Sequence, residues 1–187
     1  QGHARAARLP ASAHERDGLG PRRFVGREDH ASATEEVGRR RFAAKGLDWT
    51  RIGQLLWAAQ GVSDGAGRLR TAPSAGALHP LEIDAAVASG LYRYRPVSHT
   101  LMQRDARDVR FGLARAAVGE SWLAGAPCVF CISGVPSRTT GQHGNRGARY
   151  VQMEAGHAAQ NLLLAAVALG LDGVPVGAFS DEDLAGA

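Results

Sequence analysis

"LRTAPSAGALHPLEI", residues 69–83, sets Pro73, Ser74, Ala75, Gly76 and Ala77 between an arginine pair (Arg68, Arg70) and an apolar segment. Small residues in a row bury little apolar area. They do let something large and flat come close to the backbone. Taken alone, the block reads as a turn built on proline, serine and glycine. Beyond it, "LEIDAAVAS" and "GLYRYRP" read as strands, the second alternating apolar residues with arginine. Before it, "DWTRIGQLLWAAQG" is the clearest amphipathic helix. Trp49, Ile52, Leu55, Leu56 and Ala59 recur at spacings of three and four, Asp48 or Thr50 suits the cap, and Gly61 suits the stop.

Farther out, residues 1–30 are rich in Ala, Arg, Gly and His without apolar periodicity, and read as a flexible N-terminal arm. Residues 31–187 read as the folded domain. "ASATEEVGRRRF" offers Ser32 or Thr34 as N-caps, Glu35 and Glu36 in a first turn, and an end near Gly38. "ARDVRFGLARAAVGESWLAG" reads as helical and "APCVFCISG" as a buried strand. "SRTTGQHGNRG" reads as a long polar loop, a kind that is often functional in compact domains. "ARYVQMEAGHAAQNLLLAAVALGL" is a long helix ending at Gly170 or Gly173. Its second half is apolar all round, so it is expected to be buried, at a subunit interface for instance. Strands and helices together give an α+β or α/β domain.

Composition bounds the function classes. The chain has 187 residues, 44% of them hydrophobic, enough for one domain with a core. The net charge is +4 and the pI about 9.7. Nearly all of the positive charge is arginine, Lys45 being the only lysine. The arginines mix with acids, as in "QRDARDVRF", and aromatics are only 6%, so a nucleic-acid surface of stacked bases and phosphates is not expected. Cys128 and Cys131 lie three apart in a strand, on opposite faces, with no second pair to complete a zinc site. They read as core thiols. His143 and His157 belong to no ligand set such as H-E-x-x-H, so no metal is expected. The longest apolar run is too short to span a bilayer. Without a sorting signal the expected location is cytoplasmic, although a start at Gln1 rather than Met leaves room for a removed leader.

Four blocks, "LLWAAQG", "RTAPSAGALHPLEI", "GLYRYRPVSHTL" and "RGARYVQMEAGHAAQNLLLAAVALGL", give the chain a resemblance to the flavin-dependent nitroreductase superfamily. Within it the blocks are similar to the SagB-type, ThcOx-like dehydrogenases. The resemblance runs from about Gly38 to the C-terminus. It implies an α+β, FMN-binding fold with a central mixed or antiparallel sheet flanked by helices. It also implies an entwined homodimer with two FMN sites at its interface.

The resemblance answers the question raised by the small residues. In relatives this turn reaches the partner subunit's FMN, presenting backbone groups and a hydroxyl, which assigns Pro73, Ser74, Ala75, Gly76 and Ala77. Many relatives carry Asn where Ala77 stands; the SagB branch accepts Ala. "VPVGAF" implies the second flavin wall, assigning Pro175, Val176, Gly177 and Ala178, with a backbone N–H facing flavin N5. Arg39, Arg40 and Arg41 fall where relatives hold the FMN phosphate, and such cations suit bidentate phosphate binding. Gly38 and Glu36 depart from the usual serine and arginine there. Glu120 falls where relatives place an amide that touches the flavin.

Two departures bear on activity. Relatives continue past "GAF" into another strand and an extension that embraces the partner; this sequence stops at Ala187, so that extension is expected to be absent. The Lys-Tyr pair that serves as acid and base in SagB-type azoline dehydrogenases is replaced by Gln142-His143. That leaves His143 as the candidate base. The implied function is an FMN-dependent oxidoreductase passing a hydride between a small-molecule or peptide-derived substrate and flavin N5. The substrate classes left open are peptide-derived heterocycles and, with NAD(P)H as electron donor, nitroaromatics or quinones. The alternative is a flavoprotein-like scaffold or docking subunit of a peptide-maturation complex. Neither nucleic-acid nor membrane partners are expected.

Overall fold

The computed structural model describes Ala6–Arg8, Phe42, and residues 46–118 and 120–187. Most of the expected N-terminal arm, the helix expected before Gly38, and Arg39, Arg40 and Arg41 lie outside the described residues.

Five strands form one sheet: β1 (Ala6–Arg8), β2 (Leu81–Val87), β3 (Gly90–Arg95), β4 (Thr100–Asp105) and β5 (Val129–Gly134). Their order is β1-β4-β3-β2-β5, and every pairing is antiparallel. β2 and β3 form a hairpin in register from Val87↔Gly90. β3 and β4 form the next, through a turn in which the His99 N–H donates to Pro96 O at 3.3 Å.

Alternation along β2 decides what each face carries. Leu81, Ile83, Ala85 and Val87 point to one face, with Tyr94 and Leu101 from β3 and β4. There they meet Ile52, Leu56 and Ala59 of α1 (Trp49–Gln60) and Val151 and Ala158 of α4 (Gly147–Ala168). Ala86 points to the other face, where α2 (Arg110–Ala116) and a 3₁₀ turn (Ser121–Gly125) supply Leu113, Ala114 and Leu123. Glu82 and Asp84 share that second face. Asp84, only 7% exposed, takes a bidentate pair from Arg93 (Nε to Oδ1 2.6 Å, Nη2 to Oδ2 2.7 Å). Arg93 and Arg138 both reach Glu82. The result is an α+β fold: an open antiparallel sheet flanked by helices.

α1 follows its sequence closely. The Asp48 side chain accepts from Arg51 N at 2.8 Å, and the Gly61 N–H closes on Trp57 O. The glycine-rich stretch after it folds into a tight loop. Val62 bridges Arg70, and Asp64 Oδ1 accepts from Arg68 N and Leu69 N at 2.8 Å each.

One expectation is corrected, and a second is left to a subunit contact. The polar stretch 137–147 is not a loop. It forms α3 (Ser137–His143) and a 3₁₀ turn (Gly144–Arg146), started by Pro136 in helical conformation and held by buried Thr139. A Cβ on Gly147 would lie 2.7 Å from the Thr140 backbone, so glycine is what lets α4 begin so close to α3. The second half of α4 is not buried within the chain. Leu164 and Val167 are 60% and 59% exposed, because α1 and the sheet cover one side only. α4 ends at Gly170 (φ 69°), as expected, with Leu171 N bonded back to Ala166 O at 2.8 Å. The chain closes with α5 (Asp181–Gly186), capped by Ser180 and packed through Leu184 on the α2 side.

Candidate active site

The candidate residues fall into two groups set along α4. The first is the turn at residues 73–77, a 3₁₀ turn (Ala75–Ala77) with φ values of 65° at Gly76, 52° at Ala77 and 46° at His79. Gly76 takes this left-handed backbone without cost; Ala77 and His79 do not. Ser74 shapes the turn from within. Its carbonyl accepts from Ala77 N at 3.1 Å and its Oγ accepts from His79 N at 2.9 Å. That hydroxyl is therefore engaged inside the protein, and what the turn offers outward is backbone. Pro73, Gly76 and Ala77 are exposed.

α3 adjoins this turn. A Cβ on Gly76 would lie 3.0 Å from Gln142 Oε1, so Gln142 stands directly over the glycine. His143, next to it, packs edge-on to Tyr150 (centroids 5.2 Å, 82°). Its Nε2 is buried without a hydrogen-bond partner.

The second group surrounds an open apolar trench of about 620 Å³ between β5, the stretch of α4 from Ala155 to Ala166 and the segment after it. That volume lies within the roughly 300–1,000 Å³ of small-molecule sites. Phe42, Trp122, Phe130, Leu162 and residues 174–177 line it. Pro175, Val176 and Gly177 are thus wall residues. Ala178 ties the wall down: its carbonyl accepts from Val118 N at 3.0 Å, while Ser180 N donates to Ala116 O at 2.9 Å. Trp122 donates its indole N–H to the Glu120 carboxylate and stacks, tilted, on Phe42 (5.7 Å, 39°). Phe42 carries the chain onward from the arginine triplet.

No residue of 73–77 lines the trench. Along α4 the trench is lined from Ala155 and Gly156 to Ala166.

The sequence reading missed Gln60 and Trp122. Gln60 is the one polar residue among the buried positions of α1, and that break in the apolar pattern was its signal. Cys128 and Cys131 border the trench, half-buried and unpaired. Burial raises both thiols, Cys131 to about 11. Among the described residues no group of three or more His, Cys, Asp or Glu could hold a metal ion, and no helix is long and apolar enough to cross a membrane.

An antiparallel sheet flanked by helices, with an apolar trench along the long helix and a small-residue turn beside Gln142, is an α+β scaffold of one recognisable class. The chain belongs to the nitroreductase family, which it matches over residues 39–187. A protein of Methanocaldococcus jannaschii, provisionally named a nitroreductase, is 41% identical over 151 residues, covering 78% of this chain and 76% of its own. A crystal structure from Ralstonia eutropha JMP134, also given provisionally as a nitroreductase, superposes with a TM-score of 0.71 at 29% identity, covering 80% of this chain and 69% of that one. The fold is also shared with a chain of the Escherichia coli microcin synthetase McbBCD complex (TM-score 0.68, 21% identity, 96% of this chain and 76% of that one).

Proposed function

We propose that the protein is an FMN-dependent oxidoreductase of the SagB type, working as a homodimer on a small-molecule or peptide-derived substrate. The observation that carries this reading is the separation of the two candidate walls. Residues 174–177 line the trench, and residues 73–77 do not. A second copy brings the turn of one subunit to the trench of the other. The exposed apolar stripe of Met153, Leu164 and Val167 on α4 supports such a pairing.

The residues present fit FMN. The trench is apolar and roomy enough for a planar ring system, and the turn offers backbone without a bulky side chain. Bound FMN supplies hydride transfer at its N5 atom. The protein would hold the ring between backbone at 73–77 and backbone at 175–178. Arg39, Arg40 and Arg41 would take the phosphate, and Glu120 would steer the ring edge through Trp122. His143, with its Nε2 uncommitted, would hold or accept the substrate proton. NAD(P)H is the proposed electron donor where the substrate is reduced.

The replacement of the Lys-Tyr pair by Gln142-His143 favours one second reading, a docking subunit of a peptide-maturation complex that does not turn over. An absorption spectrum of the purified chain, with the released chromophore identified, tests the main reading. About one FMN per subunit is expected; a colourless chain that FMN cannot reconstitute would overturn it. In the flavin-loaded enzyme, His143→Gln is expected to lower kcat roughly 100-fold with little change in KM. An unchanged kcat removes His143 from the chemistry.

A further inference from the structure

The sheet's second face is only half covered. α2 and the 3₁₀ turn (Ser121–Gly125) close the end at Ala86, Leu91 and Val129. The other end is polar. Asp84 stands opposite Arg93, Arg93 opposite Met102 and Arg95 opposite Thr100, so Glu82, Asp84, Arg93, Arg95, Thr100 and Met102 share this end of the face. Arg138 of α3 reaches over it to Glu82, at 2.6 Å. Arg104 is the unpaired residue at the irregularity between β3 and β4, and its charge is felt at both Asp84 and Arg93.

Charge at this open end does not cancel. Four guanidiniums gather about two carboxylates. Both carboxylates are already engaged: Asp84 by Arg93 through bonds of 2.6 and 2.7 Å, and Glu82 by Arg93 and Arg138. Arg95 and Arg104 are exposed, and neither meets a carboxylate among the described residues. Arg95 Nη2 donates to the Met102 sulfur at 3.4 Å. Burial, together with the charges of Arg104, Arg95 and Arg138, presses the Arg93 guanidinium down to about 10. The surface is thus held at positive potential, with two cations left over.

We propose that this open end of the sheet is a docking surface for an acidic stretch of peptide, with Arg95 and Arg104 taking its carboxylates. The partner's chemistry follows from what the face holds and lacks. A carboxylate already sits here in the two-bond geometry that guanidinium favours. No residue sharing this end is aromatic, because Tyr92 and Tyr94 alternate onto the opposite face, so nothing there stacks on a nucleic-acid base. The spacing suits an extended chain. Arg95 lies opposite Thr100, and Arg104 is four residues farther along β4, about 13 Å away in the strand direction. An extended peptide sets residues i and i+4 on one side, also about 13 Å apart. Acidic residues at alternate positions therefore meet both arginines at once. Neither arginine lines the trench, so docking here is independent of the flavin reading.

The test is fluorescence anisotropy on the full chain with a labelled peptide of alternating Glu and Ser, beside the same peptide with Gln for Glu. The Glu peptide is expected to bind, less tightly as salt is raised, and the Gln peptide roughly tenfold more weakly or worse. Arg95→Glu combined with Arg104→Glu should weaken the Glu peptide roughly tenfold or more, and Arg95→Gln combined with Arg104→Gln roughly threefold or more. The neutral pair carries the test if the charge-reversed pair does not fold. No binding of the Glu peptide by the wild type, or equal binding by the wild type and a folded variant, would overturn the proposal. Tighter binding of an oligothymidine of equal length at the same salt would overturn it in favour of a nucleic-acid surface. A change in the light-scattering mass of the free chain in either variant would overturn it in favour of a second copy, whose exposed Asp181, Glu182 and Asp183 on α5 would then be the covering acids.

Discussion

Ala77 sits at φ 52°, where an L-residue with a Cβ pays about 1 kcal/mol or more. Asn tolerates this region better, because its short amide bonds locally. Ala77→Asn should therefore stabilise the chain by roughly 0.5–1 kcal/mol, read from urea denaturation at an unchanged m-value. The same strain was invisible in the sequence. "PSAGA" announces a turn, but not that two non-glycine residues near it carry positive φ. Glu154 gives a second expectation. Burial on α4 raises its carboxyl above the ordinary range, against the hydrogen bond from Gln60. Between the ordinary value and the raised one, the folded chain binds more protons than the unfolded one, so stability falls as pH rises through that window. Glu154→Gln removes the effect. The melting temperatures of variant and wild type should converge at acid pH and separate in the variant's favour toward neutral pH.

At the scale of elements, the sequence was most legible where one local rule sufficed. α1 shows a clean period of three and four, an Asp cap and a Gly stop, and it begins and ends there. β2 and β3 follow from apolar residues and a tight hairpin. α3 was not legible: Ser, Thr, Gly and His favour loops locally, and the helix is fixed by tertiary contacts at Thr139 and Gly147. β4 was overlooked because "TLMQRD" lacks the β-branched and aromatic run that marks a strand. The trench was beyond reach altogether, since Phe42, Trp122 and residues 174–177 come from segments with no shared pattern. On the sheet's second face, the Arg93–Asp84 pair makes a firm prediction. Arg93→Met would strand a buried carboxylate and cost about 3 kcal/mol or more. Arg93→Met with Asp84→Leu, which removes both charges, should recover most of it. Chemical denaturation of the two variants decides the matter.

For the molecule as a whole, the expectation that the second half of α4 is buried at a subunit interface is what one chain leaves to be tested. The apolar residues of its second half are there, yet one chain leaves Leu164 and Val167 largely open to water. Under the homodimer reading those residues face the second copy. Val167→Asp should then shift the mass seen by light scattering from dimer to monomer while the far-ultraviolet spectrum stays unchanged. A dimer of undiminished stability would place the subunit contact elsewhere. Either result also bears on the trench, since its C-terminal wall follows directly from this helix.

That wall is stitched to the end of α2 by two bonds, Val118 N to Ala178 O and Ser180 N to Ala116 O, both purely main-chain. Val176 adds a side-chain anchor, packing on the core cluster beneath α2. Val174 lines the trench outside that cluster, so exchanging it for a larger, smaller or more polar residue should alter what the trench admits while the wall keeps its station. Under the proposed reading, substrate preference and architecture are largely separable here: the first would be written in side chains such as Val174, the second chiefly in peptide groups.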